Sequence, residues 1–243
     1  MKKPASKSEL AIVIPAKNEA KNITRLLDSI SAQDYAHIRE TPVVVADAHS
    51  EDTTRATVLG YAPGLNVSVV DGGMPSVGRN AGARSVDAEY ILFIDADIEL
   101  RDRTLIRRAL ETARQKNYSC VTARIRCAEG TKTDRMVYAV ANIVVRISKY
   151  FFPFATGMFM LFKKFRFDEL GGFDETITLS EDFVLTRNLR SNEFGMVSAY
   201  FDTSNRRFVK TGHWKMALII LGSILHAKSI KYFRRTGKNY FDR

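Results

Sequence analysis

Cysteine is scarce in this chain of 243 residues, and the two thiols that occur show no recognisable pattern. Cys120 and Cys127 do not have the spacing of a zinc site, and they do not form the framework of a disulfide-rich domain. The sequence therefore excludes a small secreted fold held by disulfides, and we expect two packing residues in a reducing compartment. A hydrophobic fraction of 45% is enough for a packed core.

Long apolar runs are also missing. No stretch approaches the roughly 18 uncharged apolar residues of a membrane-spanning helix. Residues 1–9 are basic and polar and precede only a short strand-like run, so we expect no secretory leader there. Repeats and low-complexity linkers are absent too. We predict a short tail at 1–9, one folded domain at 10–202 and a C-terminal segment at 203–243.

Acidic residues are absent from 203–241, which hold nine of the 37 Lys and Arg residues. Because the remainder of the chain is nearly balanced, most of the net charge of +10 lies in this one segment. Such localisation points to a particular anionic surface rather than to general solubility.

Apolar periodicity predicts alternating strands and helices over the first hundred residues. Strands are expected at 10–14, 42–46, 66–70 and 90–94, and helices at 22–31, 53–59 and 76–85. This alternation indicates a mostly parallel α/β sheet. Beyond it, the pattern predicts a helix at 102–116, a strand at 119–125, helix, turn and strand within 136–162, and a helix at 183–191.

The tripeptide Asp95-Ala96-Asp97 directly follows one of these apolar strands. Open α/β sheets bind ligands at the carboxyl ends of their strands. Carboxylates two residues apart face the same way and suit a hard divalent cation, which can in turn hold a diphosphate. The alternative is that both aspartates only solvate a strand end.

Five further segments matter because of their order along the chain and their spacing from this tripeptide. They are Ile14-Pro-Ala-Lys-Asn-Glu19, Val45-Ala-Asp-Ala-His-Ser-Glu-Asp-Thr-Thr54, Gly78-Arg-Asn-Ala-Gly82, Gly171-Gly-Phe-Asp174 and Glu181-Asp182. Together they resemble glycosyltransferase family 2, the inverting nucleotide-sugar enzymes of GT-A fold, over about residues 10–214. The chain departs from the pattern at His49, where the family has glycine.

The resemblance implies a GT-A domain with a nucleotide-binding half at 10–100 and an acceptor half at 101–202. Asp97 would contact a Mn²⁺ or Mg²⁺ ion directly. Asp95 would lie nearer the ribose and the water shell of the metal, with Ala96 also against the donor. Such an ion stabilises the charge that grows on the leaving diphosphate. The donor is expected to be a UDP-sugar rather than a GDP-sugar.

The same resemblance places Asp47 against the nucleobase, with Pro15, Ala16 and Glu19 on the other side of the pocket. Asp47 as a loop cap and Glu19 as a solvated side chain are the alternatives. Arg79 would pair with carboxylates or a phosphate near Asp95, a role that suits its forked donors. A plain surface salt bridge is the other interpretation of Arg79.

Asp182 is the candidate general base, because an inverting displacement needs a carboxylate beside the attacking hydroxyl. Glu181 would orient the acceptor or the site. At the start of a helix, Asp182 is also a plausible N-terminal cap. Arg206 and Arg207 are candidates for the donor diphosphate or an acceptor phosphate. His213 is either a metal ligand or a structural residue.

The C-terminal segment combines an apolar run at 216–225 with cations and aromatic residues on either side. This composition favours a helix lying in the interface of an anionic membrane, on its cytoplasmic side. A core helix or a dimer contact is the alternative. If the helix lies on a membrane, a lipid-linked acceptor becomes attractive beside a saccharide one, and the aromatic residues at 150–154 would help to receive it.

Two competing functions remain. Nucleotidyl transfer also uses paired aspartates on an α/β sheet, but its first loop is usually glycine-rich, whereas residues 15–19 hold no glycine. A non-catalytic basic membrane-binding module is the second. Nucleic acid is not expected as a partner, because the charge outside 203–241 is balanced and no nucleic-acid motif occurs.

Overall fold

The computed structural model describes residues 7–127, 129–206 and 229–236, with the isolated residues 212, 218, 222 and 226. The expectations for Arg207, for His213 and for the apolar run at 216–225 therefore lie outside the described residues, apart from isolated positions.

Within the described residues, eight strands form one mixed sheet with helices on its faces. The strands are β1 Ser8–Ala16, β2 Val43–Asp47, β3 Val67–Asp71, β4 Ala88–Ile94, β5 Ile98–Glu99, β6 Cys120–Arg126, β7 Phe159–Lys163 and β8 Phe194–Thr203. Their order across the sheet is β3-β2-β1-β4-β7-β6-β8-β5.

The first four strands are parallel, as their alternation with helices predicts. Residues 10–14 of β1 are completely buried, because helices cover both faces of the sheet. The second half is different: β7 runs antiparallel between β4 and β6, and β8 is parallel to β6. Since β1, β2 and β4 run the same way, their carboxyl ends meet at one edge.

The helices are α1 Ala20–Ser31, α2 Thr54–Leu59, α3 Pro75–Arg84, α4 Leu105–Gln115, α5 Lys132–Ser148, α6 Lys164–Glu169, α7 Glu181–Thr186 and α8 Ile230–Thr236. The apolar residues of α1 at positions 23, 26, 27 and 30 are all buried, so its periodicity predicted the packed face. Among the described residues, no helix combines the length and apolarity needed to cross a membrane.

Several boundaries differ from the predicted ones. The helix expected at 183–191 is α7, which begins at Glu181 and ends at Thr186, and a 3₁₀ turn follows at Ser191–Glu193. The Asn188 side chain donates to the Val184 carbonyl, which occupies an acceptor that a continuing helix would use. At α4, Asp102 accepts hydrogen bonds from Thr104 and precedes the helix. No sequence pattern indicated β8.

Helix α3 approaches β1 unusually closely. A side chain at Gly82 would overlap Val13, and one at Gly78 would lie 3.3 Å from the Ala46 Cβ. Glycine lets the helix backbone rest directly on the sheet, at a cost in helix propensity of about 1 kcal/mol. The contact places the first turns of α3 at the edge where the parallel strands end.

We expect Gly82→Val to lower the free energy of unfolding by about 2 kcal/mol, because overpacking against Val13 forces α3 away from β1. The control is Ala81→Val on the same helix, where the side chain is only half-buried; its loss should stay below about 1 kcal/mol. Urea denaturation of both variants measures the difference. Equal losses would mean that the approach of α3 does not depend on this glycine.

Candidate active site

The carboxyl ends of three parallel strands bring four acidic side chains to one edge of the sheet. Asp47 is the last residue of β2, and Glu19 lies just after β1. Asp95 and Asp97 follow β4. The order of the strands therefore gathers residues that are far apart in sequence, as expected for carboxylates at the ends of parallel strands.

Arg79 lies at the centre of the site and is 3% exposed. Its Nη2 donates to Asp95 Oδ1 at 2.6 Å, and its Nη1 donates to Glu181 Oε1 at 2.6 Å. Burial opposes the guanidinium charge, but the attraction of Asp95 and Glu181 outweighs it and raises the pKa of Arg79 above its ordinary value. This side chain joins the carboxylate at the end of β4 to the carboxylate at the start of α7.

Asn80, the next residue of α3, ties a second loop to the site. Its Nδ2 donates to the Phe173 carbonyl at 2.9 Å and its Oδ1 accepts from the Phe173 N–H at 3.0 Å. Gly172 has a φ of +72°, and a Cβ there would lie 2.8 Å from the Asn80 Oδ1. Gly172 is thus required both by its backbone conformation and by this close approach, whereas Gly171, with a φ of +80°, is required by conformation alone. Asn80 lies within a quoted motif, yet sequence reasoning gave it no role.

Asp182 is the second residue of α7, so it does not occupy the N-cap position, which is Ser180. Its Oδ2 accepts the Gly157 N–H at 2.6 Å. Burial of the carboxyl group, and then the charge of Glu181, raise the pKa of Asp182 to about 7, against the opposing effects of the Gly157 N–H and Arg79. A carboxylate with this pKa is matched to proton abstraction near neutral pH.

Arg206 reaches into the acidic edge from beyond β8. Its Nη2 lies 2.6 Å from Glu19 Oε1 and 3.1 Å from Asp97 Oδ2. Two carboxylates within reach of one nitrogen atom can share one cation, and their oxygens are the donors that Mg²⁺ and Mn²⁺ prefer. In the part of the chain that the structure describes, no three His, Cys, Asp or Glu side chains form a metal cluster.

Asp47 is buried, and its Oδ2 accepts the Ser50 N–H at 3.3 Å. Its Oδ1 has no hydrogen-bond partner among the described residues. Buried acceptors are normally satisfied, so an unpaired one at the edge of the sheet suits a donor from a ligand. Ala16 is the register partner of Asp47, and Pro15 lies one residue earlier on β1.

The departure from the family pattern at His49 has a local explanation. His49 is exposed and has a φ of +54°, in the left-handed region where glycine is usual and histidine is tolerated. The loop thus keeps the glycine-like backbone. Ala96 is 4% exposed and its side chain belongs to the core, so only its backbone is available to a donor.

Three more buried polar atoms lack a partner among the described residues: Ser76 Oγ, Arg79 Nε and Thr156 Oγ1. Ser76 is in the first turn of α3, and Thr156 precedes the Gly157 that contacts Asp182. Sequence reasoning assigned no role to Ser76 or to the Thr156 hydroxyl. No motif signalled them, because their unpaired state depends on burial.

Comparison with known proteins gives a consistent family. The sequence model of the protein family described as Glycosyl transferase family 2 matches residues 11–172. The Staphylococcus aureus poly(ribitol-phosphate) beta-N-acetylglucosaminyltransferase TarS is 34% identical over 101 residues, which are 40% of this chain and 18% of the relative. The validoxylamine A glucosyltransferase of Streptomyces hygroscopicus subsp. jinggangensis is 34% identical over 93 residues, 37% of this chain and 22% of the relative.

Solved structures agree with the sequence comparison. S. aureus TarS 1–349 in complex with UDP-GlcNAc has a TM-score of 0.66 at 20% identity, over 81% of this chain and 58% of that one. The mannosyltransferase PcManGT from Pyrobaculum calidifontis in complex with GDP-Man and Mn²⁺ has a TM-score of 0.67 at 21% identity, over 94% and 66%. The matched part of this chain spans about a fifth of the length of the curated relatives named above.

The raised pKa of Asp182 makes stability depend on pH. An unfolded aspartate titrates near pH 3.9, whereas Asp182 titrates at about 7 in the folded chain. The folded state binds more protons between these values, so stability falls as pH rises from about 4 to 7. We expect Asp182→Asn to remove this fall, so that its melting temperature gains on the wild type between pH 4 and pH 8.

The control for this measurement is Asp87→Asn, at an exposed position away from the site. Its melting temperature should follow the wild type across the same range. Thermal melts of the three proteins at several pH values give the comparison. Parallel curves for Asp182→Asn and the wild type would show that the folded chain does not raise the pKa of Asp182.

Proposed function

The chain belongs to glycosyl transferase family 2 and has the GT-A fold, and from this premise we propose that it moves a sugar from a nucleotide-diphosphate donor to an acceptor hydroxyl or phosphate, with inversion. The observation that carries the proposal is the double ion pair of Arg79 with Asp95 and Glu181. It holds a donor-side carboxylate and an acceptor-side carboxylate against one cation, so the two halves of a transfer site face each other.

The donor half would bind the nucleobase through Asp47, whose unpaired Oδ1 suits a ring N–H. Uracil and guanine both offer such a donor. We favour a UDP-sugar, because one TarS structure holds UDP-GlcNAc and another holds UDP. The PcManGT complex with GDP-Man is the reason to test both. Pro15 and Ala16 would line the same pocket through the backbone of β1.

Asp97 and Asp95 would hold Mn²⁺ or Mg²⁺ together with oxygens of the diphosphate. When bound, such an ion supplies charge stabilisation for the departing diphosphate. Support comes from the hard oxygen donors at the edge of the sheet and from the Mn²⁺ in the PcManGT structure. Glu19 would complete the acidic edge beside Asp97.

Asp182 would act as the general base. Its carboxylate takes the proton of the acceptor hydroxyl, and that oxygen attacks the anomeric carbon while the bond from this carbon to the diphosphate breaks. The pKa of about 7 leaves a large fraction of Asp182 ionised at neutral pH and still basic enough to accept a proton. Glu181, held by Arg79, would orient the acceptor side rather than take the proton.

For the acceptor we propose a saccharide or a lipid-linked molecule of cell-envelope glycan or glycolipid synthesis, met at the cytoplasmic face of the membrane. The aromatic residues at 150–154 support an apolar approach to the site, since three residues later Gly157 contacts Asp182.

We expect the chain to bind one donor from a panel of UDP- and GDP-sugars with Mn²⁺, and to release nucleoside diphosphate slowly with water as the acceptor. Asp97→Ala should lower this release at least about 100-fold, because the charge on the leaving group loses its stabilisation. Asp34→Ala, which removes an exposed carboxylate outside the site, should keep it. Failure to bind any nucleotide-sugar would reject the proposal, and pyrophosphate release from a nucleoside triphosphate would indicate nucleotidyl transfer instead.

Arg206 provides a test that does not depend on turnover. Its guanidinium shares Asp97 and Glu19 with the proposed metal, and with donor present it would turn to the diphosphate. We therefore expect Arg206→Ala to bind Mn²⁺ alone about 3- to 10-fold more tightly, since an ion pair of this exposure is worth roughly 1 kcal/mol. The same variant should bind the nucleotide-sugar more weakly.

Isothermal titration measures both affinities. Arg25→Ala is the control, because Arg25 lines the same cavity as Asp97 and its removal changes the net charge equally. That control should change Mn²⁺ affinity less than Arg206→Ala does. Weaker Mn²⁺ binding by Arg206→Ala would show that the guanidinium supports the metal rather than competes with it.

A further inference from the structure

Helix α5 is apolar on two opposite faces. Its inner face packs on the domain through Tyr138 and Val145, which are buried. Its outer face carries Met136, Val140, Ile143 and Ile147, whose exposed fractions lie between 48 and 63%. The spacing of three and four residues places these four side chains on one line along the helix. We call this line, with the two residues described next, the outer face of α5.

Two more exposed apolar side chains follow the end of the helix. Tyr150 and Phe151 are 69% and 75% exposed, and they follow the last turn of α5 by two and three residues. Four large apolar side chains in one row, with two more directly after the helix, are more than the scattered hydrophobic residues of an ordinary surface. A contiguous patch of this kind indicates a partner.

The charges around the outer face identify the chemistry of that partner. Residues 135–151 contain three Lys and Arg and no Asp or Glu. Arg135 and Arg146 are exposed and lie along one edge of the row, and Lys132 is exposed at its start. The acidic residue of α5, Asp134, is buried in the capping box with Thr131. An apolar row with a rim of cations matches an acyl-chain boundary beneath anionic headgroups.

The inner face of α5 holds the helix in this orientation. The Asn142 side chain exchanges two hydrogen bonds with the backbone of Ile125 in β6, both at 2.8 Å. Asn205, just after β8, contacts the Asp134 carboxylate at 3.4 Å. The outer face therefore points away from the sheet, and the helix would lie parallel to a bilayer surface rather than cross it.

We propose that the outer face of α5 docks in the interface of an anionic lipid bilayer, with Met136, Val140, Ile143, Ile147, Tyr150 and Phe151 among the acyl chains. The proposal is separate from the reaction proposed above, because vesicle binding needs no donor. It also adds a described element to the membrane contact expected of the C-terminal segment, where the exposed Leu218 is an isolated described position.

Co-sedimentation of the full chain with phosphatidylcholine vesicles containing about 30% phosphatidylglycerol tests the proposal. We expect the wild type to sediment with these vesicles and much less with phosphatidylcholine alone. The double variant Ile143→Glu/Ile147→Glu should lower the partition coefficient for these vesicles at least tenfold. Leu59→Glu and Phe165→Glu, at exposed apolar positions elsewhere, should bind as the wild type does.

A melting curve and a mass measurement without lipid test the two alternatives to a bilayer. In these alternatives the outer face of α5 is covered by another part of the chain or by a second copy. If the outer face is open to solvent, Ile143→Glu/Ile147→Glu melts within about 2 °C of the wild type. A large fall in melting temperature with unchanged vesicle binding would mean that another part of the chain covers the row. Loss of a dimer in light scattering would assign the row to a second copy. Either result overturns the proposal.

The charge variant Lys132→Gln/Arg146→Gln provides a second test, which can be used if the glutamate variant does not fold. Both side chains are exposed, so the fold should tolerate the change. Binding to the anionic vesicles should fall about tenfold, while the weak binding to phosphatidylcholine stays the same. Unchanged binding to anionic vesicles would contradict the role assigned to the cationic rim.

Discussion

A buried guanidinium must be paired, and the site is built around that requirement at Arg79. Removing a charge from water is costly, so Arg79 persists at 3% exposure only because Asp95 and Glu181 each lie 2.6 Å from it. One of these carboxylates comes from the end of β4 and the other from the start of α7. The ion pair thus fixes the distance between the end of β4 and the start of α7.

The two neighbouring carboxylates at the start of α7 have different partners. Glu181 accepts a hydrogen bond from Arg79, whereas Asp182 accepts the Gly157 N–H and lies within the field of Glu181. Burial and that field raise the pKa of Asp182 to about 7. Only Glu181 contacts the guanidinium directly, which is why we propose different roles for these two neighbours.

The sequence predicted the parts of this arrangement that depend on local pattern. Strands β1 to β4 and helices α1 to α3 lie within a few residues of their predicted ranges, because periodicity follows directly from burial on a sheet. Carboxylates at strand ends were predictable for the same reason. The insertion of β7 between β4 and β6, and the existence of β8, were not, since pairing partners far apart in sequence leave no periodic signal.

The local sequence pattern also could not predict the contacts across the site. Arg79 and Glu181 are 102 residues apart, and Arg206 and Glu19 are 187 apart. The resemblance to a family suggested that such residues belong together, but only the fold shows which oxygen meets which nitrogen. The apolar pattern of α5 illustrates the same limit: hydrophobic residues on two faces predict a helix, yet do not reveal which face the domain covers.

Residues 148–157 connect the end of α5 to Asp182, the proposed base, through consecutive hydrogen bonds. At the end of α5 the Ser148 Oγ accepts the Phe154 N–H at 3.0 Å. The Ala155 N–H donates to the Thr186 Oγ1 at 3.4 Å, and the Gly157 N–H donates to Asp182. These bonds connect the end of α5 to α7 through residues 148–157, so the orientation of α5 is linked to the position of Asp182. A bilayer that held α5, as proposed, would therefore lie at a fixed position relative to the proposed base.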